Sequence, residues 1–168
     1  MCFKVLRYNN LKFSNQQSAI SKTQSGILLI NLGTPDTPHT REVRIFLREL
    51  LSCKRVLDIN PVWRWLLVNF VILPFRSRKS AKAYRKIWLE DGSPLLVYSQ
   101  KLKNALGEQL SEDKIPVELG MQCGRPSLKT AIAKLRGQNC DQIIVLPLYP
   151  QYASSSYGAA IEDLYKVI

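Results

Sequence analysis

The chain has 168 residues, 46% hydrophobic and 22% charged, which is the balance of one globular domain and excludes a disordered polymer. Eight glycines and nine prolines exclude a collagen-like or low-complexity class, and no run of roughly eighteen apolar residues is present to span a bilayer. The net charge of +11 is localised: residues 1–35 carry Lys4, Arg7, Lys12 and Lys22 with no acid, and residues 54–90 carry nine bases against Asp58 and Glu90. The rest of the chain is neutral, so these two segments imply a local anionic partner: nucleic acid, acidic lipid or a carboxylate-bearing ligand.

Residues 1–25 are polar and without period, and predict an unstructured basic extension, with order beginning at Gly26. They lack the apolar core of a secretory signal; their acid-free, Ser-containing composition makes an organelle transit peptide the lesser alternative. Ile27-Leu28-Leu29-Ile30 predicts a strand covered on both faces, and Asn31 to Asp36 a turn. Thr37 and Pro38 predict the start of a helix whose stripe is Val43, Phe46, Leu47, Leu50 and Leu51. Residues 54–110 read as mainly helical and basic; Trp65 to Phe75 is their longest apolar stretch, interrupted by Asn69. Val117 to Met121 reads as a strand, Pro126 to Arg136 as a helix, Ile143 to Leu146 as a second buried strand, and Gly158 onward as a final helix. Strands alternating with helices predict an α/β, Rossmann-like, doubly wound parallel sheet. Leu164, Tyr165, Val167 and Ile168 continue a helical pattern with no cap or polar tail after them. Residues 26–168 are therefore expected to form half of a larger fold.

Several chemistries lack their residues. No two glycines stand one residue apart and no Gly-Lys-Ser/Thr occurs, so dinucleotide and P-loop binding lose their phosphate cradle. A Gly-x-Ser-x-Gly elbow is absent, and the single histidine, His39, falls at a helix start, where an exposed position is the plainer reading. Cysteines at 2, 53, 123 and 140 form no Cys-x-x-Cys pair, which argues for a reducing compartment and against a zinc site. Arg76-Ser77-Arg78-Lys79 is basic enough for nucleic acid, yet Trp63, Trp65, Leu66, Leu67, Phe70 and Ile72 beside it suit an apolar ligand or a membrane surface better. The segment from Leu146 to Ser156 follows the last strand, at the carboxyl edge where open α/β sheets bind ligands.

Four ordered blocks, Gly26 to Asp36, Tyr84 to Trp88, Gly92 to Leu95 and Leu146 to Tyr152, together resemble the ferrochelatase family. The resemblance covers about residues 26–168 and is to bacterial members, whose Gly-Thr-Pro and Trp-x-x-x-Gly-Ser-Pro forms appear here. It implies a chelatase-like fold of two similar halves, of which this is the N-terminal one, and insertion of Fe(II) into protoporphyrin IX to make protoheme. By the same resemblance Leu57 to Phe75 would be a lip over the pocket mouth that touches the membrane, with a cytoplasmic chain peripheral at the inner membrane. Arg76, Tyr84 and Ser93 would meet the porphyrin propionates, and Leu32, Tyr149 and Ser155 would border the macrocycle. Tyr84 and Ser80 would share a helix face that Arg76 precedes.

Departures bear on activity. Gln122-Cys123 stands where the family commonly has Arg-Tyr, so no metal-path role is carried onto either residue. Ser154 stands where cluster-bearing relatives have a cysteine, so no iron–sulfur cluster is expected, and iron enters only as substrate. The family's catalytic histidine and metal-side glutamate belong to the second half, so no catalytic or metal residue is assigned here, and the chain alone is expected to need that half. The alternatives are a non-catalytic tetrapyrrole-binding fragment and a related cobalt or nickel chelatase; nucleic acid is not an expected partner.

Overall fold

A computed structural model describes residues 24–168 and the backbone of residues 4–7. Its strands are β1 (Lys4–Arg7), β2 (Ser25–Thr34), β3 (Val117–Gly124) and β4 (Gln142–Pro147). Its helices are α1 (Thr40–Ser52), α2 (Pro61–Leu66), α3 (Leu73–Ile87), α4 (Pro94–Gln109), α5 (Leu128–Gly137) and α6 (Ala159–Val167). Two π-helical segments intervene, Leu67–Ile72 between α2 and α3, and Ser154–Gly158 before α6.

The sheet order is β1-β4-β2-β3, with β2 parallel to both neighbours. Leu28, Leu29 and Ile30 are fully buried because helices cover both faces of this central strand. Burying each such side chain contributes about 1.5–3 kcal/mol. Leu28 and Ile30 pack with Leu128, Ile132 and Leu135 of α5 and Leu164 of α6. Leu29 joins Leu119 and Met121, against Leu96 and Leu106 of α4. A third cluster joins Val43, Phe46 and Leu47 of α1 to Leu73 and Ala81 of α3. The chain therefore leaves β2 over one face and β4 over the other, which opens a crevice at their carboxyl ends, the switch point of a doubly wound sheet.

The parallel α/β reading holds, with boundary corrections. β1 pairs antiparallel with β4, Lys4 opposite Val145 through Arg7 opposite Gln142, so the expected structureless extension contains an edge strand. The physical reason is that β4 would otherwise present an open row of N–H and C=O groups. Residues 1–3 and 8–23, the rest of that extension, lie outside the described residues. α1 starts at Thr40 rather than at Pro38: the His39 carbonyl accepts from Val43 N at 3.0 Å, and Thr37 turns its hydroxyl to His39 Nδ1 at 3.0 Å instead of capping. Pro126 does not open α5; Ser127 caps it, accepting from Thr130 N at 3.2 Å. Arg76 lies inside α3 rather than before it.

Gly33 carries the tightest contact of the sheet. Its φ is +101°, and a Cβ there would meet the Cys123 carbonyl oxygen at 1.7 Å, because β2 and β3 stay paired through Gly33–Cys123. Gly33→Ala is therefore expected to destabilise the chain by about 3 kcal/mol or more in urea unfolding. Gly107→Ala, inside α4 with open space around its Cα, is expected to stabilise by up to about 1 kcal/mol.

Candidate functional site

The carboxyl end of β2 places polar side chains immediately after a dry apolar run, and each finds a partner. Asn31 Nδ2 donates to Ser99 Oγ at 3.0 Å, and its Oδ1 accepts from Leu32 N at 2.8 Å. Thr34 Oγ1 donates to Ser93 Oγ at 2.8 Å, with both residues buried. These bonds fasten the first turns of α4 to the strand end, and Pro94 fits the first helical turn because no N–H is needed there. An open apolar cleft of about 400 Å³ runs beside them, lined by Leu95, Tyr98, Leu102 and Leu148 together with Asn31 and Ser99.

β4 supplies the other wall. Leu148 N donates to Ile30 O at 2.7 Å, extending the contact with β2 one residue past the strand. Tyr149 then turns into the fold, and its hydroxyl donates to Gln122 Oε1 at 3.1 Å; burial raises its pKa above the ordinary tyrosine value. Gln122 Nε2 donates onward to Asp163 Oδ2 at 3.3 Å. Tyr152 is exposed, with its ring 5.5 Å from that of Tyr157.

The six residues expected to meet porphyrin are placed as follows. Leu32 lies near the end of β2, Ser93 is bonded to Thr34 at that end, and Tyr149 follows β4 and bonds Gln122. Tyr84 is half-buried on α3, edge-on to Phe46 at 6.4 Å and to Trp88 at 6.2 Å, and desolvation raises its pKa. Arg76 is exposed, eight residues before Tyr84 on the same helix, roughly 12 Å along its axis. Ser155 is exposed in the π-helical turn before α6. None of the six hydrogen-bonds to another among the described residues. His39 is exposed near α1, and no group of three or more His, Cys, Asp or Glu is placed to hold a metal ion among the described residues.

Four features were not singled out by the sequence reading: the Asn31–Ser99 bond, the Thr34–Ser93 bond, the Gln122 amide between Tyr149 and Asp163, and Arg55. Arg55 Nε donates to Glu162, and its Nη1 donates to Ser154 Oγ at 3.2 Å. Asn31 and Thr34 were expected in a turn, but the strand continues through them, because β2 stays paired with β3 from Asn31 opposite Met121 to Thr34 opposite Gly124. Their partners were not legible in sequence, because they come from α4 and its N-cap residue, 68 and 59 positions away.

The segment from α2 into α3 presents two faces. Val68, Leu73, Ser77 and Ala81 point inward, whereas Trp63, Trp65, Phe70 and Phe75 are 68%, 58%, 64% and 79% exposed. Trp65 and Phe70 pack edge to face at 5.6 Å. Arg76, Arg78, Lys79 and Lys82 continue the exposed surface. No helix is long and apolar enough to cross a membrane among the described residues.

The domain is an α/β fold with a polar strand end and an apolar cleft at the carboxyl edge of a switch-point sheet, the edge at which folds of this class bind small molecules. Comparison with known proteins makes this specific: the ferrochelatase family model matches residues 24–168, and the chain belongs to that family. It is 51% identical over 139 residues to the ferrochelatase of Coxiella burnetii (strain RSA 493 / Nine Mile phase I), covering 83% of this chain and 39% of that protein. Against the Marinomonas sp. (strain MWYL1) ferrochelatase it is 50% identical over 145 residues, 84% of this chain and 44% of the relative. Against that of Escherichia coli O9:H4 (strain HS) it is 46% identical over 147 residues, 88% and 45% respectively. The chain thus spans less than half the length of these relatives.

Thiol chemistry gives a direct check of the packing beside Gln122. Burial, reinforced by the nearby carboxylates of Glu49 and Asp163, pushes the Cys123 thiol up to about 12, and burial also raises Cys140. Cys53 is half-exposed. Treatment with iodoacetamide at pH 8 is expected to modify Cys53 while Cys123 and Cys140 stay unmodified until urea is added, as read by peptide mass mapping.

Proposed function

We propose that this chain is the porphyrin-holding half of an iron-inserting chelatase, with protoporphyrin IX and Fe(II) as substrates. The observation that carries the reading is the family match over residues 24–168, which takes in both loops at the switch point. In this reading the flat apolar face of the macrocycle lies against Leu32 and Tyr149, with Ser155 at its border. Its propionates meet Arg76, Tyr84 and Ser93, where a guanidinium and hydroxyl donors provide charge-assisted hydrogen bonds. Deprotonating the pyrrole nitrogens and delivering the metal require a base and a carboxylate within the pocket. None is assigned to this chain; by the resemblance, both belong to the portion of the relatives it does not match. Ser154 is the reason no iron–sulfur cluster is part of the proposal.

The test is heme formation from Fe(II) and protoporphyrin, with the chain alone and with the unmatched portion of the Coxiella burnetii relative supplied separately. No turnover is expected from the chain alone, and turnover from the pair. In the pair, Arg76→Ala is expected to raise KM for porphyrin about tenfold, the scale of one charged hydrogen bond. Heme formation by the chain alone would contradict the division of labour. Preferential cobalt or nickel insertion would point to a related chelatase, and porphyrin binding without turnover in either form to a non-catalytic binder.

The two-faced segment from Trp63 to Lys82 supports a second part of the proposal, a cytoplasmic chain that meets an anionic membrane at its periphery. Trp63, Trp65 and Phe70 would insert, while Arg76, Arg78, Lys79 and Lys82 would attract acidic headgroups at about 1 kcal/mol each, screened beyond roughly 10 Å. Co-sedimentation with vesicles is expected to require anionic lipid, to weaken with salt and to fall further in Trp65→Ala. Equal binding to neutral vesicles would remove the electrostatic contribution, and an unaffected Trp65→Ala would remove the insertion.

A further inference from the structure

A single chain of polar contacts runs behind the crevice and touches both ends of the segment that follows β4. It begins at Ser154, whose hydroxyl accepts from Arg55 Nη1 at 3.2 Å, while Arg55 Nε donates to Glu162. Lys166 Nζ bridges Glu162 at 3.2 Å and Asp163 at 2.9 Å. Asp163 accepts from Gln122 Nε2 at 3.3 Å, and Gln122 Oε1 accepts from the Tyr149 hydroxyl at 3.1 Å. Four separate parts of the fold are joined in this way: the loop after α1, helix α6, the end of β3 and the segment after β4. A polar cavity of about 400 Å³ lies between them, lined by members of this chain together with Glu49 and Cys53.

Two members of the chain cannot be exchanged for simpler groups. Gln122 needs its carbonyl toward the tyrosine hydroxyl and its NH₂ toward the Asp163 carboxylate; the reverse orientation would set two acceptors against each other. Arg55 reaches its two acceptors from two different nitrogens, Nε and Nη1, a separation that the planar guanidinium spans and the single nitrogen of an ammonium group does not. A Cβ added at Gly158 would lie 3.3 Å from Arg55 Nη1, so the guanidinium also packs closely against the π-helical turn. The two cations and two carboxylates balance. Pairing raises the pKa values of Arg55 and Lys166 and lowers that of Glu162, consistent with mutual stabilisation.

We propose that Arg55 and Gln122 are positioning residues that act through this one polar chain to hold both ends of the segment from Tyr149 to Ser154, and with it the adjoining Ser155. The consequence for porphyrin rests on the function proposed above; the mechanical role does not. Residues 150–155 are exposed, so apolar burial does not hold the segment between its ends.

The test is native-state amide exchange on the full chain. The reporters are the Ser156 and Gly158 amides, which donate to Ala153 O at 3.3 and 3.1 Å. Arg55→Ala is expected to speed their exchange about tenfold, with the β2 amides unchanged. Arg55→Lys is expected to recover little of this protection. Gln122→Met touches neither reporter directly, yet is expected to speed the same two amides several-fold by releasing the other end of the chain. Unchanged exchange at Ser156 and Gly158 in Gln122→Met would overturn the proposal, as would uniform acceleration that includes β2, the mark of a plain loss of stability. Gln122→Glu keeps the volume and the acceptor for Tyr149 but sets a second carboxylate against Asp163, and is expected to speed the same two amides at least as much as Gln122→Met. A second arm measures protoporphyrin binding by tryptophan quenching, with about tenfold weaker binding expected in Arg55→Ala and Gln122→Met. If the unsubstituted chain binds no porphyrin, the functional reading fails, while the exchange arm still decides the positioning role.

Discussion

The site depends on β2 being buried on both faces up to its last turn. Leu28, Leu29 and Ile30 have no exposed surface, and helices on each side hold the strand in place. Asn31 and Thr34 follow in the same dry environment, where an unsatisfied polar group costs about 1–3 kcal/mol. They are satisfied by Ser99 and Ser93 of the α4 N-terminal region. The strand that anchors the core therefore also fixes where α4 begins, and so where Ser93 and the adjoining apolar cleft lie. Among the described residues no buried side-chain polar atom lacks a partner, so the polar strand end is fully paired.

The parts of the fold that were legible in sequence are those where one residue's environment repeats at a fixed period. The β2 and β4 runs, the α1 stripe and the apolar positions of α5 follow from local patterning alone. Three features were not legible, each for a different reason. β1 is four residues whose order comes from pairing with β4 rather than from a pattern of their own. The start of α1 differs because Thr37 bonds the His39 ring and makes no cap to the helix. The third is the π-helical segment Leu67–Ile72. Val68 and Leu73 both face inward, five residues apart, before the stripe resumes at Ser77 and Ala81. A regular helix would have turned Ile72 into line with Val68, so a 3.6-residue period misreads the face at this point.

The π-helical segment lies between Val68 and Leu73, and with Ser77 and Ala81 these form the inward face of the run from α2 to α3. The inward side chains tie it to α1 through Phe46 and Leu47, while the tryptophans and phenylalanines remain on the outer surface. Asn69, the polar interruption within the apolar stretch, donates to the Trp65 carbonyl at 2.8 Å, within the helix itself. The outward apolar surface is therefore not a failure of packing. It sits on a segment whose other face is already committed to the core, with a row of bases immediately after it in sequence.

The two walls of the crevice are held by different physics. The β2 side is fixed by bonds between buried groups, Thr34 to Ser93 and Asn31 to Ser99, shielded from water and from salt. The β4 side leaves the sheet after Leu148 and depends on Gln122, Arg55 and the ion pairs of α6, groups that are partly or largely open to solvent. Exposed ion pairs are individually weak, and each loses strength with salt. Strung in series between the two ends of a short segment, they restrict it because closing a short loop at both ends leaves the intervening residues little freedom. The β2 wall is thus tied to the core by buried bonds, whereas the β4 wall is held by solvent-open contacts that need not break together with the sheet. Under the function proposed above, a flat ligand would register against the β2 side, with the β4 side as the adjustable wall.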